Sequence, residues 1–182
     1  MKKEKGKYGY LNYKKIYLLI MTLICLLVVL AVMTGGYLYY KTLSNICTVI
    51  AIVIVIPAAK FGVGYIVLFP YKAPEKERYD ELESSDYILL SELVITSEEK
   101  IMNLDFAAVK DRRAYCFVSN KKNEPQEIEK YLKKILNSEF EGVTVKVFTD
   151  YEKYKSALDK FSFFENNIRD KRISQLLCVY SM

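Results

Sequence analysis

Asp105 is the side chain in this sequence with the best case for chemistry. The 182 residues include no histidine, so carboxylates must do any general acid or base work. Ser-His-Asp and Cys-His catalysis are excluded, as are histidine-ligated zinc, copper and haem and phosphohistidine signalling. A single carboxylate makes no hydrolytic centre, and a second must converge on it. Glu92 approaches Asp105 if the strands that carry them pair in a suitable register. Two such acids are the minimum for holding Mg²⁺ or Mn²⁺. The four cysteines, Cys25, Cys47, Cys116 and Cys178, lie in apolar sequence with no C-x-x-C spacing. They read as small buried hydrophobes, not as ligands or redox centres. There is no P-loop and no EF-hand loop, and Gly62-Val63-Gly64 follows no soluble strand. No cofactor and no metal is expected.

The elements that must position Asp105 lie in residues 79–182. Residues 87–96 are rich in Ile, Leu and Val and read either as a segment that begins as the tail of a helix or as one that enters directly as a strand, and 97–100 as a turn. Residues 101–109 alternate, with Met102, Leu104, Phe106 and Ala108 as the more apolar face and Asp105 on the other. Residues 111–113 are a polar turn and 114–119 a short buried strand. A helix follows, with Asn123 as expected N-cap, Pro125 in the first turn and Gln126 at the reciprocal capping position. Ile128, Tyr131, Leu132, Ile135, Leu136 and Phe140 make its apolar stripe, against Glu129, Lys130, Lys133 and Lys134. Residues 143–148 alternate as a strand. Residues 149–152 read as a capping box that opens a helix with the stripe Tyr151, Tyr154, Leu158 and Phe161. Residues 168–180 fit a helix, although 173–180 also fit a strand. The expected domain is α+β in the order β-β-β-α-β-α, followed by a C-terminal element.

A strand meander followed by a helix and a strand resembles the restriction-endonuclease-like nuclease core. The resemblance implies an acid near the second strand, where Asp105 stands, and Glu-x-Lys on the third. The third strand reads Tyr115-Cys116-Phe117-Val118-Ser119-Asn120-Lys121 and has no acid. A nuclease-like domain in this chain would therefore be degenerate. Arg112-Arg113 and Lys121-Lys122 read as solvated turns, and Glu98-Glu99, Glu127 and Glu129 as surface charges.

Charge and hydropathy divide the chain sharply. Residues 1–15 carry six Lys and one Glu. Residues 16–70 carry no acid and only Lys41 and Lys60. Residues 71–182 carry 19 basic and 21 acidic side chains, which argues against nucleic acid as a partner. The formal net charge of +5 thus belongs to the N-terminal 70 residues. Between Lys15 and Lys41 lie 25 uncharged residues, about 37 Å of helix against a hydrocarbon core of about 30 Å. A second apolar run covers 43–69. The expectation is a basic N-terminus at 1–15, a transmembrane hairpin at 16–69 with helices at about 16–40 and 43–69, a linker at 70–78 and a soluble domain at 79–182. The tight turn falls at 42–45, and Gly35, Gly36, Ala58 and Gly62 are expected at the helix contact. Lys14, Lys15, Lys60 and Lys72 serve as anchors to the lipid bilayer. Lys and Arg cluster before the first helix and after the second, which predicts both termini in the cytoplasm. High Lys, Ile, Tyr and Asn suit an AT-rich bacterial genome, hence a bacterial cell membrane.

The functional expectation is a non-enzymatic integral membrane protein, an accessory subunit or adaptor. Its cytosolic domain would bind a protein partner or self-associate. The alternative is a membrane-tethered, degenerate nuclease-like or nucleic-acid-binding domain.

Overall fold

The computed structural model describes residues 4–42, 45–83, 86–97, 100–120, 124–160 and 168–182. The expected N-cap Asn123, the pairs Lys121-Lys122 and Glu98-Glu99, and Phe161 lie outside them. Two compact units divide the chain: 12–72, and 1–11 together with 73–182.

The unit 12–72 contains most of α1 (Tyr10–Tyr40) and all of α2 (Ile46–Leu68). Both helices are long and apolar enough to cross a membrane, and only 6% and 11% of their most apolar windows are buried. The first begins well before the expected residue 16, directly after Gly9, whose φ of +79° ends the preceding irregular segment. The second starts at Ile46 because the Asn45 side chain caps it, accepting from the Thr48 amide at 3.0 Å. The two helices meet antiparallel. A Cβ added to Gly36 would stand 2.5 Å from the Cys47 Cβ, and one on Gly64 3.4 Å from a Leu18 methyl. Gly62 faces Thr22, and Ala51 and Ala58 are buried. Of the small residues expected at this contact, Gly36, Ala58 and Gly62 take part. Gly35 has nothing within 4 Å of its would-be side chain. The Lys15 ammonium donates to the carbonyls of Phe69, at 3.3 Å, and Tyr71, which follow α2. Lys15 thus caps carbonyls at the end of α2.

The other unit is a mixed sheet between helices. After α3 (Lys76–Leu82) come β1 (Ile88–Thr96), β2 (Ile101–Lys110) and β3 (Arg113–Phe117). Then follow α4 (Pro125–Glu139), β4 (Thr144–Phe148), α5 (Tyr151–Leu158) and α6 (Ile168–Tyr180). The sheet order is β1-β2-β3-β4; β1 to β3 form an antiparallel meander, and β4 lies parallel to β3. Such a parallel pair needs a crossover, which α4 supplies. On one face α4 and α6 bring Ile128, Leu132, Leu136, Ile173 and Leu177 onto Leu104, Val109 and Cys116. On the other, Leu82 of α3 and Tyr154 and Leu158 of α5 cover Phe106, Ala108 and Phe117.

Three local readings change. Lys76, Glu77 and Arg78, expected in a linker, open α3, whose amphipathic turns bury Leu82. Asp150, not Thr149, is the N-cap of α5, accepting from the amides of Glu152 and Lys153. Residues 168–180 are helical, and only Ser181 bridges to a strand, at Ile95.

Replacing Leu132, fully buried on α4, with Asp leaves an unpaired buried carboxylate and costs several kcal/mol. We expect Leu132→Asp to abolish cooperative melting and Lys133→Asp, on the exposed face, to melt as the parent does. For the helix pair, Gly36→Leu overpacks the Cys47 contact and should cost about 1–3 kcal/mol. Gly35→Leu, pointing into open space, should leave thermal stability in detergent micelles unchanged.

Candidate functional site

Glu92 and Asp105 stand opposite each other in the β1–β2 pair. Ser91 pairs with Phe106 and Leu93 with Leu104, and between them Glu92 and Asp105 break the ladder. Glu92 has φ +57°, a left-handed conformation costing about 1–3 kcal/mol for a non-glycine residue. Here both strands change the face they present. Met102 and Leu104 face α4 and α6, and so do Ala107 and Val109; Phe106 and Ala108 turn to the other side. The single apolar face expected for 102–108 is thus split at Asp105.

The register brings the two acids together, but their carboxylates take different partners. Glu92 is 2% exposed and accepts from the amides of Gly9 and Leu11, 2.6 Å each, one on each oxygen. Gly9 immediately precedes α1 and Leu11 lies in its first turn, so Glu92 supplies acceptors that the helix start lacks and places negative charge at its positive end. Two charge-assisted bonds of about 1.5–3 kcal/mol each offset the cost of the left-handed backbone. Asp105, 3% exposed, accepts from the Ser119 amide at 2.5 Å and from the Asn103 side-chain amide at 3.1 Å.

A third buried acid repeats the pattern. Asp170 of α6 accepts from the amides of Asp111 and Arg112, 3.2 Å each. These are the two central residues of the β2–β3 hairpin, and both have positive φ, +47° and +56°. Two-residue hairpins of this type favour Asn-Gly, and Asp170 holds in place a turn that lacks glycine.

The three described buried carboxylates therefore act as clamps, Glu92 and Asp170 on backbone amides and Asp105 on one backbone and one side-chain amide. Among the described residues no three His, Cys, Asp or Glu side chains group to hold a metal ion. Cys116 is fully buried, and desolvation pushes its thiol up to about 12, so the nucleophilic thiolate is suppressed.

A concave surface lies elsewhere on this unit. Ser97, Lys100, Met102, Glu127, Lys130, Tyr131, Lys134, Ile135, Ser138 and Tyr180 line a cavity of about 600 Å³. Met102, Ile135 and the two tyrosines form an apolar floor. Lys100 pairs with Glu127 at 2.5 Å, and Lys130 and Lys134 stand one turn apart on α4. Tyr131 donates to the Thr96 carbonyl at 3.4 Å. The i, i+4 spacing of the two lysines was visible in the sequence. Their neighbours from β2 and α6 were not, because the groove needs the fold to assemble it. The expected anchors Lys14, Lys60 and Lys72 lie in the other unit and take no part in this surface.

Removing the Glu92 carboxylate leaves two buried amides unsatisfied, at about 1–3 kcal/mol each. Glu92→Ala should lower the melting temperature of the whole chain in detergent sharply, while Asp86→Ala, an exposed acid just before β1, should change it little. Equally, a fragment 73–182 should be less stable than the same fragment with residues 4–11 supplied as a peptide, measured by chemical denaturation.

Against protein-family models, curated proteins and solved structures alike, the chain finds no match.

Proposed function

We propose that this chain is a two-pass protein of the bacterial cell membrane. Its cytosolic domain is a non-enzymatic adaptor that docks an acidic segment of a protein partner in the groove between β2, α4 and α6. The observation that carries the reading is the use of the buried acids. Glu92, Asp105 and Asp170 each accept from amide groups of the domain itself, while a lysine-rimmed groove with two tyrosines lies apart from them. Such a surface suits recognition of a negatively charged peptide better than bond cleavage.

Membrane insertion is supported by the exposed apolar side chains of both helices, among them Leu27, Leu38, Ile56 and Ile66. A surface this apolar is untenable in water. The topology draws support from the clamp at Glu92. Residues 4–11 and 73–182 belong to one compact unit, which supports a reading with both on one side of the bilayer after two crossings. The lysine distribution favours the cytoplasm as that side.

A second reading is a degenerate nuclease-like domain. Its support is the strand arrangement, a meander with a fourth strand parallel to the third after a helix. Its difficulty is Asp105, whose two oxygens already accept from Ser119 and Asn103.

Three experiments test these readings. In intact cells a membrane-impermeant maleimide should label Thr42→Cys, and a green fluorescent protein fused after Met182 should fluoresce. Fluorescence lost with labelling absent would overturn the topology. For the domain, the full chain in detergent should show no change in melting temperature with Mg²⁺ or Mn²⁺ and should leave added DNA and RNA intact. Cleavage that disappears in Asp105→Ala would promote the nuclease reading. In membranes, Lys130→Glu with Lys134→Glu should abolish the crosslinks that the parent domain forms through its groove to a partner.

A further inference from the structure

A second charged cavity lies at the C-terminal end of α4 and carries a different chemistry. Arg112, Arg169 and Arg172 line a space of about 410 Å³ together with Glu139, Phe140, Glu141 and Ile173. The three guanidiniums come from two elements distant in sequence. Arg112 is on the β2–β3 turn, whose backbone Asp170 fixes, and Arg169 and Arg172 are one turn apart on α6. Asp170 thus lies between the two arginines in sequence and bonds the amide of the third. The carboxylate that might have neutralised the cluster is instead turned inward, 2% exposed.

Among the described residues none of the three arginines lies within 4.0 Å of a carboxylate; the described ion pairs all involve other cations. Glu139 and Glu141 line the cavity without pairing, leaving three fixed positive charges against two negative ones. The local excess is small, so charge alone does not select a ligand here. Geometry does. Planar guanidinium forks donate parallel N–H pairs that match the oxygens of a tetrahedral phosphate. Phe140 and Ile173 complete the lining with an apolar wall.

We propose that the Arg112–Arg169–Arg172 cavity binds the phosphate group of a phosphate-bearing molecule, either a soluble phosphate ester or a lipid headgroup. The inference is independent of the adaptor reading, which uses the groove lined by Lys130, Tyr131 and Lys134. Glu139 and Glu141 oppose the ligand, so they set its affinity low and exclude weakly coordinating anions.

The test uses the full chain, because residues 4–11 complete the domain. In neutral detergent micelles, inorganic phosphate should raise the melting temperature saturably, with half-saturation at about 1 mM or below. Sodium chloride at matched ionic strength should not. Arg169→Gln and Arg172→Gln should each weaken phosphate about tenfold, the loss of one charge-assisted interaction. Arg113→Gln, an exposed arginine outside the cavity, should leave phosphate affinity unchanged. Glu139→Gln should tighten binding severalfold, a gain that damage to the fold cannot produce and that decides the matter if an arginine variant fails to fold. In parallel, nanodiscs of phosphatidylcholine with phosphatidic acid are compared with phosphatidylcholine alone. Stabilisation by phosphatidic acid that inorganic phosphate competes away assigns the lipid source; stabilisation by inorganic phosphate alone assigns a soluble ester. No shift with phosphate, an equal shift with chloride, or an equal loss in Arg113→Gln overturns the proposal.

Discussion

The sheet domain depends on one interaction, the acceptance by the Glu92 carboxylate of two amides at the start of α1, those of Gly9 and Leu11. Each partner has its own problem. The start of α1 has donors with no acceptor, and Glu92 has a buried charge on a strained backbone. Each solves the other's. The contact also fixes where residues 4–11 lie. Gly6, with φ +81°, accepts from the Ser91 amide at 2.8 Å and approaches Leu90 so closely that a Cβ would stand 2.7 Å from its methyl. Tyr8 packs on Tyr79 with ring centroids 5.3 Å apart, and Leu11 is buried. An edge strand with open backbone groups invites unwanted pairing. Here β1 is covered by Gly6 at one place and by Ser181 and Met182 at another, where Met182 donates to the Val94 carbonyl.

Much of the secondary structure was legible because it rests on local periodicity. The stripe Ile128, Leu132, Leu136 recurs at helical spacing, and the structure buries all three. The uncharged runs announced two long apolar helices for the same reason. The face switch at Glu92 and Asp105 was not legible. Alternation over 102–108 looks unbroken, and nothing local says that a glutamate will adopt a left-handed conformation that glycine normally takes. The compensating donors lie more than 80 residues away.

The functional surfaces divide in the same manner. Asp105 was singled out by type, yet its environment, not its identity, decides its role. Its oxygens meet an amide that follows β3 and an Asn side chain two residues away. Arg112-Arg113 looked like a paired basic turn, but the two separate: Arg112 joins Arg169 and Arg172 at a cavity and Arg113 begins β3. The sequence separation between those arginines is what hid the cluster.

The bonds between the N-terminal segment and the C-terminal end of the domain have a temporal consequence. The Lys5 ammonium donates to the Ser181 carbonyl at 2.7 Å across 176 positions of chain. At synthesis rates of about 5–20 residues per second, Lys5 waits roughly 9–35 seconds for this acceptor to be made. β1 is complete at Thr96, 85 residues before Ser181, so its edge stays only partly covered for about 4–17 seconds. Edge protection in this protein is thus a late event of biosynthesis.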